Sequence, residues 1–171
     1  PCKGPNPPPE CCEGDECCEG DDCGGGGGGG SHDPNDKLGP EGYDVFAFIR
    51  PDAVMPYTVR FENDPTATAS AVLVTISDQL DSDVDWSTFQ LGTMQFDDYV
   101  ISVPPGLTYY ETRIDLRPDG NNLLVDVVGR FDPLTGLAQW SFTGIDPATG
   151  ELTDDPLAGF LPPNNPDVHD G

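Results

Sequence analysis

Two groups of residues in this chain have types and spacings that could do chemistry. The first is thiols: Cys2, Cys11, Cys12, Cys17, Cys18 and Cys23 are the six cysteines, and none follows in the last 148 residues. Five of them stand among six carboxylates in residues 11–23, a doubled hexad (CCEGDE, CCEGDD) that runs into seven glycines. Thiolates hold soft metals or oxidise to disulfides. The CC-x4-CC-x4-C spacing lacks the C-x2-C pair of a zinc ribbon. Vicinal cysteines do not readily bridge each other, but each can pair with a more distant partner. Cysteines clustered in a charged stretch suit an oxidising, extracellular setting, which favours disulfides, within or between chains, over a metal cluster. The spacing does not give their connectivity.

The second group is carboxylates. Calcium takes about six to eight hard oxygen ligands, and acidic side chains on strand-connecting loops supply them. Asp78, Asp81, Asp83 and Asp85 fall within eight residues. Asp33, Asn35 and Asp36 reach them if their segment packs at the same end. Asp146, Glu151, Asp154 and Asp155 form another set, with Asp132 on a related turn. Structural calcium is therefore the expected cofactor, although the loop pattern of an EF-hand is not met. The competing reading makes these residues solvated turn caps. Catalysis has less to work with. The two histidines, His32 and His169, lie in polar terminal segments, and no G-x-S-x-G or H-E-x-x-H pattern occurs. Composition alone leaves room for a glycosidase-type carboxylate dyad. No aromatic platform stands beside one, and Trp86 and Trp140 read as core residues of strands. An enzyme is not expected.

The whole chain is strongly acidic, with 31 Asp and Glu against 7 Lys and Arg and a net charge of -24 in 171 residues. Nucleic acid and anionic membrane surfaces are repelled by such a molecule, so metal cations or basic partners are its natural counter-charges. Gly and Pro supply 40 residues, which implies long irregular or extended segments. No run of about 18 apolar residues is present, so membrane insertion by a helix is not expected. The chain opens at Pro1 without a signal-peptide pattern, as expected of a processed product or of a piece of a longer one.

Three zones must position these groups. Residues 1–30 form an extended Pro/Cys/Gly-rich arm of low complexity, in which proline favours a polyproline helix and glycine leaves the backbone unconstrained. Residues 31–42 (SHDPNDKLGPEG) are a turn-rich junction. From residue 43 to 171 the pattern is that of strands: DVFAFI, MPYTVRFEN, ASAVLVTISD, DYVISV, YYETRIDL, NNLLVDVVGRFD and LAQWSFTGID alternate apolar and polar residues between Asp, Asn, Gly or Pro. Tyr57, Val59 and Phe61 share a face, as do Val72, Val74 and Ile76. No helical stripe is sustained. Seven or so short strands at this spacing predict an all-β antiparallel sandwich. Asp-Pro-x-Thr-Gly occurs twice, at residues 132–136 and 146–150. Pro sets the first corner, Asp caps it and Gly supplies the positive φ, so both read as hairpin turns.

Three separated motifs resemble a bacterial extracellular repeat module with an immunoglobulin-like fold, found in large secreted and surface-anchored proteins. They are Asp33, Pro34, Asn35, Asp36 and Lys37 at the junction; Tyr57, Val59, Phe61 and Asn63 in a strand; and Ile76, Asp78, Leu80, Asp81, Asp85, Trp86, Ser87, Thr88 and Phe89 in the segment after it. The resemblance spans roughly residues 31–163 and leaves the arm outside. It implies architecture, adhesion or assembly rather than catalysis. It also implies that a further strand normally follows the GFLPPN segment, so the immunoglobulin-like sandwich is expected to lack a closing strand. A neighbouring copy would then fill the open margin by strand addition, head to tail, and build a filament. Residues 43–50 (YDVFAFIR) are the expected donor, and the arm an assembly element whose cysteines cross-link neighbours or staple it. The expected function is thus a structural subunit of an extracellular filament or surface appendage, reinforced by disulfides and calcium, with copies of itself as partner. The alternative is an adhesive or carbohydrate-binding module of a large secreted protein.

Overall fold

The computed structural model describes residues 35–155 and 157–165, and these form antiparallel β-structure with no helix longer than a single 3-10 turn. Its centre is a four-stranded sheet of β3 (Leu73–Gln79), β8 (Leu137–Ile145), β7 (Leu124–Asp132) and β6 (Tyr109–Asp115), in that spatial order. Alternation in the sequence fixes its two faces. Val74, Trp140, Phe142, Val125 and Val127 share the inner face, and the register Val74↔Phe142↔Val127 runs straight across three strands. Leu73, Thr75, Ser141, Asp126 and Arg130 share the outer face.

The inner face is covered by short pieces rather than by one continuous sheet. A hairpin of β4 (Met94–Phe96) and β5 (Tyr99–Ile101) contributes Met94, Phe96 and Ile101. A second hairpin, β1 (Asn35–Leu38) with β2 (Thr58–Phe61), contributes Phe61. The junction zone thus supplies a strand of its own. A C-terminal segment brings Phe160 and Leu161. Phe142 is 2% exposed and meets rings from all three pieces, with centroids 5.2 Å from Phe61, 5.8 Å from Phe96 and 6.4 Å from Phe160. Burying an aromatic side chain of this size contributes about 1.5–3 kcal/mol, so this four-ring cluster is the main tie between sheet and cover.

One polar residue holds the cover together. Asn63, 1% exposed, donates its Nδ2 to the carbonyls of Ala69 (2.9 Å) and Leu161 (3.1 Å). Its backbone carbonyl accepts from the backbone amide of Asn164 at 2.7 Å, beside a parallel bridge to Pro163. The chain leaving β2, the approach to β3 and the C-terminal segment are thereby joined at one side chain.

The sequence pattern misleads over residues 44–49. DVFAFI alternates like a strand, but residues 43–48 form a tight loop closed by the Tyr43↔Phe48 bridge. Asp44 and Ala47 hold positive φ of 62° and 49°, which ends any extended run. Val72 likewise lies just outside β3, with its carbonyl accepting from the Gly144 amide.

Candidate functional site

The sequence-expected ligands gather, in part, at one end of the four-stranded sheet. The loop after β3 folds onto the β7–β8 turn: the Leu80 amide donates to the Gly136 carbonyl (3.0 Å) and Gln79 Nε2 to that of Thr135 (2.8 Å). Trp86, in a 3-10 turn (Trp86–Thr88), donates its indole N–H to the Asp81 carbonyl at 2.9 Å. Its ring lies where a Cβ on Gly136 would have to go. Gly136 takes φ 73°, so its lack of a side chain meets both the turn and the ring. Trp86 is therefore a half-buried lid on a loop, whereas Trp140 lies in β8 against the core.

At this end the carboxylates act on backbone amides. Asp81 Oδ1 accepts from the Asp83 amide (2.9 Å), and Asp85 Oδ1 accepts from the amide (3.0 Å) and hydroxyl (2.6 Å) of Ser87. The Ser87 hydroxyl, then its amide, hold the Asp85 carboxyl below the usual range. Asp78 pairs instead with Lys37 of β1 at 2.7 Å, and the Lys37 ammonium lies 4.8 Å from the Tyr57 ring centroid. Asp36 is 3.9 Å from Arg60, and Asn35 opens β1 opposite Phe61.

The two Asp-Pro-x-Thr-Gly turns have the same form. Asp132 accepts from the Leu134 amide (2.9 Å) and the Thr135 hydroxyl (2.8 Å); Asp146 accepts from the Ala148 amide (2.8 Å) and the Thr149 hydroxyl (3.3 Å). The Leu134 amide is the main cause that lowers the Asp132 pKa. Asp155 caps the Leu157 amide at 2.9 Å, Asp154 is exposed, and the Glu151 carbonyl accepts from the Asp146 amide. Among the described residues no three Asp, Glu, His or Cys side chains come together in a set that could hold a metal ion. Asp33, His32, His169 and all six cysteines lie outside the described residues.

The outer face of the sheet carries a polar row that spacing did not reveal, because it exists only in the register. Tyr109, Arg130, Gln139 and Ser77 are successive partners across β6, β7, β8 and β3. Arg130 donates Nε (3.1 Å) and Nη2 (2.7 Å) to Gln139 Oε1. The Tyr109 hydroxyl donates to Glu111, which raises the phenol pKa. Beside the row Arg113 clasps Asp126 with two N–H donors, and past the end of β6 Arg117 clasps Asp115 in the same way. The Arg117 guanidinium and then its amide bring Asp115 down to about 2. The Tyr99 hydroxyl donates to Asp119, which pushes the phenol up to about 12.

These features define the class first: an all-β protein built on an antiparallel four-stranded sheet, with most acidic side chains of the described residues engaged in caps, hydrogen bonds and ion pairs. The chain belongs to the DUF7619 family, a domain of unknown function, whose family model matches residues 33–123, just over half its length. Comparison with curated proteins and with solved structures returned no match.

Proposed function

We propose that the chain is a structural assembly module: a subunit, of immunoglobulin-like kind, of an extracellular filament or surface appendage whose copies join through their sheet margins. One observation carries this reading. The four-stranded sheet ends on both sides in seven-residue strands, β3 and β6, and among the described residues each pairs on one side alone. Neither strand contains proline, and Asp78 is the one charged residue of β3, so the usual guards of an open edge are sparse there, while β6 carries Glu111, Arg113 and Asp115. Such edges are templates for strand addition from another chain. The clustered cysteines support an oxidising location and cross-links between subunits. The described residues offer no carboxylate set for calcium, so the reading rests on edges and not on metal. Electron microscopy of the purified chain, before and after reduction, tests it: polymers are expected, which reduction shortens or loosens, and isolated particles under both conditions refute it.

A second reading, an adhesive or carbohydrate-binding module, is favoured by the outer-face row. An aromatic ring at Tyr109 beside the Arg130–Gln139 pair supplies a stacking surface next to planar hydrogen-bonding groups. It predicts isolated particles, and glycan retention that Tyr109→Ala removes on an affinity column.

A further inference from the structure

The least accounted-for part of the described chain is the excursion between β1 and β2. Residues 39–57 leave the hairpin after Leu38 and return at Thr58. They expose Tyr43, Val45, Phe46 and Phe48 at 79%, 87%, 72% and 65%. The knob is preformed: Tyr43 and Phe48 exchange both backbone hydrogen bonds (2.8 and 2.9 Å), and the Phe46 and Phe48 rings pack with centroids 5.6 Å apart. So large an apolar projection marks a contact surface. The rest of this chain has little to cover it with. Residues 1–34 contain no Val, Ile, Leu, Met, Phe, Tyr or Trp, and residues 166–171 contain only Val168.

Charge narrows the occupant to the less acidic surfaces, and an open sheet margin picks one of them. Apart from Lys3, the cations are confined to two places: residues 35–61, with three cations against four carboxylates, and residues 109–132, with three against five. Residues 62–108 carry eight carboxylates and no cation. Between copies of a chain of net charge -24, contacts made by these two places meet less like-charge repulsion than contacts made by the rest of the surface. The second place includes β6, an open margin, with Leu107 and Tyr109 exposed at 37% and 53% at its start. The β3 margin, by contrast, leads into the Asp78, Asp81, Asp83 and Asp85 run.

We infer, resting on the assembly reading above, that the apolar knob of one copy packs against the β6 margin of a second copy. The knob's hairpin is tied to β3 through Lys37 and Asp78, while β6 ends the sheet on the other side. The two surfaces differ, so the contact is head to tail and need not close into a ring.

The test uses the full chain in two forms. In sedimentation velocity over a range of concentrations, Phe46→Asp with Phe48→Asp is expected to weaken association about tenfold or more. Its melting temperature should stay at the wild-type value, because both side chains lie outside the core. With photoreactive benzoylphenylalanine at position 46, irradiation is expected to join the knob to the peptide that contains β6 of another copy. Association as strong as wild type in the double variant overturns the inference, as do cross-links that land elsewhere or within the same chain. In each of those cases the assembly reading survives. A wild-type chain that stays monomeric at every concentration overturns both.

Discussion

Asn63 is the polar side chain on which the covering layer depends. Asn63→Ala would leave the Ala69 carbonyl without this donor in a nearly dry site, and the Leu161 carbonyl with the Ala71 amide alone. The expected loss is about 1–3 kcal/mol, read from urea denaturation, because that is the cost of one unsatisfied buried polar group. A loss below about 0.5 kcal/mol would show that the cover is held by its apolar contacts alone. The carboxylates make a pH prediction. Asp85, Asp115 and Asp132 are all held below the ordinary range, so the folded chain binds those protons more weakly than the unfolded chain does. Their stabilisation is complete above the ordinary value and is lost as pH falls through the folded one. For Asp115 that window runs from 3.8 down to about 2. Melting temperature should therefore drop across this interval, and Asp115→Asn should shrink the drop. A flat profile there would mean that these contacts exist in the unfolded chain as well.

At the scale of elements, the two Asp-Pro-x-Thr-Gly turns make a controlled pair. Gly136 and Gly150 share a left-handed backbone, with φ 73° and 74°. A Cβ at Gly150 meets nothing within 4 Å, whereas one at Gly136 meets the Trp86 ring. Gly150→Ala is expected to cost about 1–2 kcal/mol for conformation alone. Gly136→Ala should cost more and also shift Trp86 fluorescence; equal costs would remove Trp86 from the turn's support. These turns were legible from sequence because Asp, Pro and Gly each act locally. The strands β6, β7 and β8 were legible for a similar reason, since half-buried strands print their two faces as alternation. Residues 44–49 print the same alternation and are no strand, because alternation records neither a partner nor the positive φ at Asp44 and Ala47. The candidate site was legible only in its residue types. Clustered Asp residues between strands look alike whether they converge on an ion or each turn back to cap its own loop, and here Asp81, Asp85, Asp132 and Asp146 cap. The Tyr109–Arg130–Gln139–Ser77 row needed the pairing register, to which sequence spacing is blind.

For the molecule as a whole, the balance is between a core gathered around Phe142 and a surface that repels nearly everything anionic. Phe142→Ala removes the ring that touches all three covering pieces and is expected to cost about 3–5 kcal/mol in chemical denaturation. Truncation at Phe46 should cost almost nothing. That contrast separates what folds one copy from what joins copies. The acidity is uneven, and the two least acidic regions are residues 35–61, which include the apolar excursion, and the β6–β7 pair; these hold the surfaces proposed to meet. Association should accordingly tighten as added salt screens the remaining carboxylates. Sedimentation velocity of the intact chain under reducing conditions, at rising concentration, tests the claim that copies join through their folded surfaces. The expected result is a series of faster-sedimenting species that grows with concentration and is present without disulfides. A single boundary with the mass of one chain at every concentration would contradict it.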